Sequence, residues 1–405
     1  MLEQLKSGKR MTSSDEMDCK YVIWISFSGL GNKILSLAAT FLYALLTSRV
    51  LLIHRGTDMA DLLCEPFSHT SWFLPSDFPL INRLDRNSSL CYGNLLKNKA
   101  LKVDREGSLP LLVYLHLVHD YGDHDKMFFC DEDQLILSKI PYLIVKSDNY
   151  FVPSLFLTES FGQNLSELFP EKGTIFHHIG RYLFHPSNAV WGLITRYYHT
   201  HMAKADERIG IQVRVFDSRL GPLKHVMNQI LSCTLDQKLL PKLKSSPSSF
   251  LPPSPKVKSV ILTSLSSGYS EILSNMYWES PTTTGEVVGV YQPSHEEFEQ
   301  PEKKSHERKA LAEMYLLSLT DVLITSSWST FGYVAQGLGG LKPWILAKPE
   351  NDTTPNPACV RAKSMEPCFH APPFYDCKEK RGLDTGTVVP HVIHCEDMSW
   401  GLKIV

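Results

Sequence analysis

Two parts of this 405-residue chain carry the residue types that handle an anionic oxygen. The turn Ser326-Ser327-Trp328-Ser329-Thr330 lies between an apolar strand pattern over 321–325 and an apolar helix pattern over 331–338. A helix start leaves its first backbone amides unpaired and carries about half a positive charge, so phosphate sits well there. The turn adds three serine hydroxyls and one threonine hydroxyl, and a nucleoside diphosphate is the ligand this chemistry suits. The plainer alternative is that Ser329 or Thr330 only caps the helix. The second part is Arg214, at the carboxyl end of an alternating strand pattern over 208–216, which is where ligands bind in open α/β sheets. Its guanidinium can fork two phosphate oxygens. Alternation puts Gln212, Arg214 and Phe216 on one face, and an arginine within an apolar strand is costly to bury alone. A phosphate contact and a structural ion pair both answer that cost.

Other titratable groups are candidates for moving a proton. The run His119-Asp120-Tyr121-Gly122-Asp123-His124-Asp125-Lys126 offers Asp125 as a general base or as a holder of hydroxyl groups, with a solvated loop as the alternative. Two His and three Asp hint at a metal, but no spacing sets them on one face. Asp148, just after a strand pattern over 142–146, is a second such carboxylate, and His177, His178 and Asp397 are weaker candidates. The turn Gly29-Leu30-Gly31-Asn32 lacks the third glycine and the acidic partner of a dinucleotide fingerprint, so no nicotinamide cofactor is expected. Its glycines, followed by Lys33, instead let a substrate or an opposing domain come close to the backbone.

The elements that must position these groups alternate strand and helix. An aromatic, β-branched run over 21–26, the glycine turn, a helix pattern over 34–46 and a strand over 49–53 open a βαβ unit with a parallel sheet. A helix is expected over 186–205, followed by the strand at 208–216, a strand at 257–263, a helix over 269–277, a helix over 309–319 and a strand at 344–346. The boundary between two domains of roughly 150 to 200 residues falls before the strand at 208. Residues 1–18 read as a stem, 19–205 as the first domain, 206–385 as the second and 386–405 as a segment packing back across both. The Pro/Ser-rich stretch 244–255 reads as a surface loop.

With 43% apolar and 21% charged residues and a net charge of −2, the composition is globular and gives no electrostatic basis for binding nucleic acid. Of nine cysteines, Cys359, Cys368, Cys377 and Cys395 crowd the last fifty residues at spacings that supply no zinc knuckle. Disulfides in an oxidising lumen are the better reading. The sequons at Asn87, Asn164 and Asn351 lean the same way. The polar residues 1–19 hold neither a signal core nor an anchor, and the apolar run 34–53 is interrupted by Ser36, Thr40, Thr47, Ser48 and Arg49, so it reads as a buried helix and strand.

Beyond single residues, the blocks Gly29-Leu-Gly-Asn32, Asp61-Leu-Leu-Cys-Glu-Pro66, 119–125, Gly210-Ile-Gln-Val-Arg-Val-Phe216, 310–321, 328–340 and His394-Cys-Glu-Asp-Met-Ser-Trp400 resemble the plant xyloglucan fucosyltransferase family, from about Cys19 to the end. The resemblance implies a GT-B-like α/β fold, with two Rossmann-like doubly wound domains facing across a cleft. It implies GDP-fucose as donor, held by Gln212, Arg214 and the turn Ser327, Trp328, Ser329, Thr330, Phe331 and Gly332, with the acceptor approached from the first domain. It further implies inverting transfer of α-1,2-linked fucose to galactose of a cell-wall glycan without a metal or other cofactor, by a type II membrane protein of the Golgi lumen whose anchor lies upstream of this chain. The base stays open between Asp125, Asp148 and a relayed water, and a homodimer stays open too. The family usually carries arginine where this chain has Lys33, which replaces a forked contact by a point charge. Acceptor choice between xyloglucan and an arabinogalactan glycan also stays open, as do an inactive glycan-binding relative and a transferase for another nucleotide sugar.

Overall fold

Strand β1 (Tyr21–Ile25) is buried along its centre and leads through Gly29 into helix α1 (Leu30–Leu46), which is so apolar that all but three of its 17 residues are buried. The helix starts four residues earlier than the apolar pattern indicates, because Leu30 and Gly31 already lie under the opposing lobe. The computed structural model describes residues 19–54, 59–75, 78, 84–101, 109–215, 223–244, 254–296, 298, 300, 303–348 and 353–405. Strands β2 (Val50–Ile53), β3 (Leu112–Leu117) and β4 (Tyr142–Ser147) complete a parallel sheet in the order β2-β1-β4-β3. All six residues of β3 are buried; a continuous apolar run without alternation is what a strand covered on both faces looks like.

Helices α2 (Ile175–Leu183) and α3 (Asn188–Tyr197) lead to the second sheet. There β5 (Glu207–Gln212), β6 (Val257–Thr263), β7 (Val287–Tyr291), β8 (Val322–Ser326) and β9 (Trp344–Leu346) run parallel, and β10 (Cys359–Arg361) closes the edge antiparallel, in the order β10-β9-β8-β5-β6-β7. Helices α4 (Leu223–Asp236), α5 (Gly268–Glu279), α6 (Lys304–Ser318) and α7 (Thr330–Gly339) connect these strands. The two facing parallel lobes match the expected α/β architecture. β5 ends at Gln212, so Arg214 lies beyond the strand and the cost of burying it inside a sheet does not arise, while Phe216 lies outside the described residues.

The lobes share one core. Leu30, Ile34, Leu37 and Leu42 of α1 belong to the same buried apolar cluster as Met314 and Leu317 of α6 and Val334 and Leu338 of α7. An interface built that way resists hinge motion.

The chain leaves the second sheet after β10, well before residue 386, and the strap formed by residues 362–405 crosses back over the first lobe. Glu366, fully buried, accepts from the Tyr150 hydroxyl at 2.6 Å and the Phe176 amide at 2.8 Å, both of the first lobe. The strap ends in a hairpin of β11 (Val392–His394) and β12 (Leu402–Ile404). All four late cysteines are in disulfides: Cys368 with Cys395 inside the strap, Cys359 with Cys233 of α4, and Cys377 with Cys130 of the first lobe. Asn87 and Asn164 are exposed, and Asn351 lies outside the described residues. No helix among the described residues is long and apolar enough to cross a membrane.

The Cys130–Cys377 bridge closes a loop of 247 residues, and a crosslink of that span restricts the unfolded chain strongly. Replacing both cysteines by serine is expected to lower unfolding stability by about 2–4 kcal/mol in a urea titration. An unchanged midpoint would show that the strap is held by its side-chain contacts alone.

Candidate functional site

A cavity of about 420 Å³ opens between the lobes. Residues 28–32 form its first-lobe wall; Gln212, Val213, Arg214, Thr263, Ser264 and the turn at 328–331 form the second-lobe wall; one face of α6 and His370 of the strap complete it. Arg214 and the start of α7 therefore border the same space, at the carboxyl ends of adjacent strands β5 and β8.

The turn is set by hydrogen bonds that use up its hydroxyls. Ser326 Oγ accepts from the Arg214 amide at 2.9 Å, which ties the residue after β5 to the end of β8. Ser327 Oγ donates to Leu346 O at 2.5 Å, on the sheet side and away from the cavity. Ser329 Oγ accepts from the Gly332 amide at 3.4 Å, so Ser329 is the helix cap that the plainer reading anticipates. Gln212 is buried, and its Oε1 accepts from Thr325 Oγ1 at 2.7 Å. A Cβ at Gly332 would lie 1.8 Å from Thr325 Oγ1, so only glycine fits this first helical turn. What the turn offers a ligand is its backbone: Thr330 and Phe331 supply the opening amides of α7, which no helical carbonyl can satisfy.

Trp328 gives the turn its direction. Its φ of 62° is left-handed, a conformation that costs a bulky residue on the order of 1–3 kcal/mol. Asp397 of the strap offsets that cost. Its Oδ2 accepts from the Trp328 amide at 2.9 Å and from the Tyr333 hydroxyl at 2.6 Å, while its carbonyl takes the Trp328 indole N–H. Lys348 stands 4.2 Å over the indole and Trp400 meets its edge at 5.8 Å. His370 lies 3.1 Å from the Tyr333 hydroxyl oxygen, and burial pushes its imidazole below the usual range toward the neutral form. Since Tyr333 donates to Asp397, His370 donates through Nε2 and keeps Nδ1 as an acceptor. The only grouping of metal-ligand type among the described residues, Cys368, Cys395 and Asp397, has its two sulfurs joined in a disulfide.

Across the cavity the glycine turn lies against this helix start. A Cβ on Gly31 would come within 2.6 Å of Thr330 Oγ1 and 2.8 Å of the Thr330 carbonyl carbon. Asn32 spans the junction, accepting from Thr330 Oγ1 at 3.3 Å and donating to Asp148 O at 2.9 Å. Lys33, the expected point charge, pairs with Glu307 of α6 at 2.8 Å, a nearly buried ion pair that joins the lobes.

The proposed carboxylates are placed otherwise than as free bases. Asp125 is buried outside the cavity, where its oxygens accept from the amides of Gly93 and Gly122 at 3.2 and 3.0 Å; it shapes its own loop. Asp148 accepts from the His119 amide at 2.9 Å, His119 Nδ1 at 2.5 Å and Asn149 Nδ2 at 2.8 Å. The exposed group of that pair is the His119 imidazole, which hydrogen bonding to Asp148 holds above the usual histidine range. His177 bonds Gly337 O at 2.9 Å and serves packing between α2 and α7.

Sequence reasoning missed Glu313. It lines the cavity at 9% exposure, accepting from Ser294 Oγ at 2.5 Å, and burial pushes its carboxyl up to about 7. The other two cavity carboxylates have cations on them: Glu307 has Lys33, and Glu296 has Lys309. The signal was there, a lone carboxylate among Leu311, Ala312, Met314 and Leu316, because a buried charge in an apolar helix needs a reason.

Gly31→Ala is expected to lower stability by about 1–3 kcal/mol in thermal unfolding and to weaken binding of a nucleoside diphosphate, read by calorimetry. Unchanged affinity would show that the junction does not shape the ligand site.

Comparison with known proteins agrees with this geometry. Residues 1–378 match the xyloglucan fucosyltransferase family. The chain is 63% identical over 411 residues to galactoside 2-alpha-L-fucosyltransferase of Arabidopsis thaliana, covering all of this chain and 73% of that protein. It is 62% identical over 408 residues to the protein of that name from Pisum sativum, covering all of this chain and 71% of the relative. Among solved structures, a mutant of Arabidopsis thaliana FUT1 in complex with GDP superposes with a TM-score of 0.92 at 62% identity, over all of this chain and 86% of that one. The facing lobes are of the GT-B kind, and the chain belongs to the xyloglucan fucosyltransferase family.

Proposed function

We propose that this protein transfers L-fucose from GDP-fucose to the 2-hydroxyl of a galactose on a xyloglucan side chain, with inversion at the fucose anomeric carbon. The observation that carries the reading is that Arg214 and the opening amides of α7 border one cavity in a chain of this family. The diphosphate lies between them. As the bond to fucose breaks, negative charge grows on the leaving diphosphate, and preorganised donors aimed at that charge supply most of the acceleration. In this reading no metal ion is needed, since a guanidinium and a helix start supply the countercharge.

The base of the donor reaches along α6. Guanine presents two N–H groups on one edge, and the carboxylate of Glu313 accepts both when ionised, which a uracil or adenine edge does not match. The acceptor enters from the first lobe, over residues 28–32. Its 2-hydroxyl attacks the anomeric carbon opposite the departing GDP, and its proton leaves through a relayed water toward the His119–Asp148 pair, which does not line the cavity but adjoins it where Asn32 donates to Asp148 O. A transition state of strong oxocarbenium character asks little of that base. Three disulfides support an oxidising lumen such as the Golgi as the place of action.

Three measurements test this. Purified protein given GDP-fucose and galactosylated oligosaccharides is expected to release GDP and add one deoxyhexose to the acceptor; no release with any galactoside sinks the assignment. Arg214→Lys is expected to cut transfer by about 10²-fold or more with thermal unfolding nearly unchanged. GDP-fucose affinity should be full above pH 7 and fall below it, as the Glu313 carboxyl, set at about 7, takes a proton and loses an acceptor site. Glu313→Gln should bind weakly with no such slope, because an amide does not titrate. Calorimetry at pH 6 and 8 separates the two.

A further inference from the structure

A second cavity, of about 590 Å³, lies on the flank of the first lobe between residues 124–133 and the strap from Pro373 to Val388. Nothing in the donor chemistry uses it. It runs close to the first cavity: His370 of the strap borders one and Pro373 the other, and three residues span at most about 11 Å. Between them the Tyr121 hydroxyl donates to Ala371 O at 2.8 Å, which fixes the strap against the loop that also carries His119.

The walls select a class of ligand. Carboxylates of Asp131, Glu132, Asp133, Glu159 and Asp376 outnumber the ammonium groups of Lys126, Lys378 and Lys380. Of those cations, Lys378 is on Glu159 at 2.5 Å and Lys126 on Asp123 at 2.8 Å. A phosphate, a nucleotide or an acidic polysaccharide therefore meets like charge. A purely apolar ligand would strip water from those carboxylates without return. Beside them are Leu96, Met127, Leu157 and Tyr375, the last with the Lys126 ammonium 4.4 Å over its ring. Asp131, Asp133, Glu159 and Asp376 already hold protein donors, so Glu132 is the carboxylate best placed to take a ligand hydroxyl. A hydroxyl donor for it and a C–H face for the tyrosine describe a neutral sugar chain.

We infer that this cavity is a subsite for the neutral oligosaccharide chain that lies beyond the reacting galactose of a polymeric acceptor. The inference rests on the fucosyltransferase reading of the first cavity. It makes acceptor length a binding determinant, set by the strap and by the Cys130–Cys377 bridge, whose two residues both line the cavity.

The test compares acceptors of two lengths. With a galactosylated oligosaccharide of several repeats, Tyr375→Ala is expected to raise KM about tenfold, as loss of a central aromatic anchor does. With a galactosyl disaccharide, and for GDP-fucose, KM should not change. The exposed Glu132→Ala serves as a second variant where Tyr375→Ala lowers the melting temperature, and it is expected to act in the same direction. Equal effects on long and short acceptors, or none on either, overturn the subsite. If no acceptor of any length is fucosylated, the donor-site reading has failed separately. Calorimetry of the long neutral oligosaccharide without donor then decides the subsite: weaker binding by Tyr375→Ala upholds it, and equal binding or a preference for polygalacturonate overturns it.

Discussion

The close approach of Gly31 to Thr330 is the constraint on which the site depends. One lobe supplies a bare backbone, the other the start of a helix, and the space a side chain would need at residue 31 is already taken by the opposing turn. Because the lobes also share a core through α1, α6 and α7, this contact is part of the fold rather than a state reached on binding ligand. Pre-set geometry of that kind is what electrostatic stabilisation of a leaving group requires, since donors that must first reorganise lose most of their value.

The strap extends the same logic to the backbone of the turn. A left-handed Trp328 is unfavourable on its own, and the residue that makes it tenable, Asp397, comes from the far end of the chain. The strap in turn is anchored to the first lobe by Glu366 and by Cys377. The cavity-facing turn at 328–331 thus depends on three regions remote in sequence, with the last forty residues acting as the brace between them.

Much of this was legible in the sequence, and the parts that were not have physical reasons. Strand and helix periodicity located β1, β6, β8 and α7, and the match of Arg214 with a helix start followed from where ligands bind in parallel sheets. β3 escaped because a continuous apolar run cannot be told from a buried helix segment by periodicity, and β7 because Gly289 interrupts its short β-branched run. Asp125 and Asp148 looked like free carboxylates only because the backbone amides and the imidazole that occupy them are invisible in a list of residue types. Glu313 was passed over although a charge inside an apolar helix is a visible anomaly. In sequence the turn hydroxyls suit either a ligand or a helix cap, and folding uses them to build the turn and the lobe junction, leaving backbone amides at the start of α7 beside the cavity.

Lys33 shows how little such a junction asks of one side chain. A lysine cannot fork two acceptors as an arginine does, yet the structure gives its single charge a nearly buried partner, Glu307, on the helix that also carries Glu313. Breaking a pair of that kind by removing one member is costly, because the other charge stays behind without compensation. The pair therefore ties the first lobe to the face of α6 that lines the cavity, and the position of Glu313 relative to the glycine turn follows from it. A point charge is sufficient to hold two lobes in register, and the proposed fork for a diphosphate is the guanidinium of Arg214 on the same cavity.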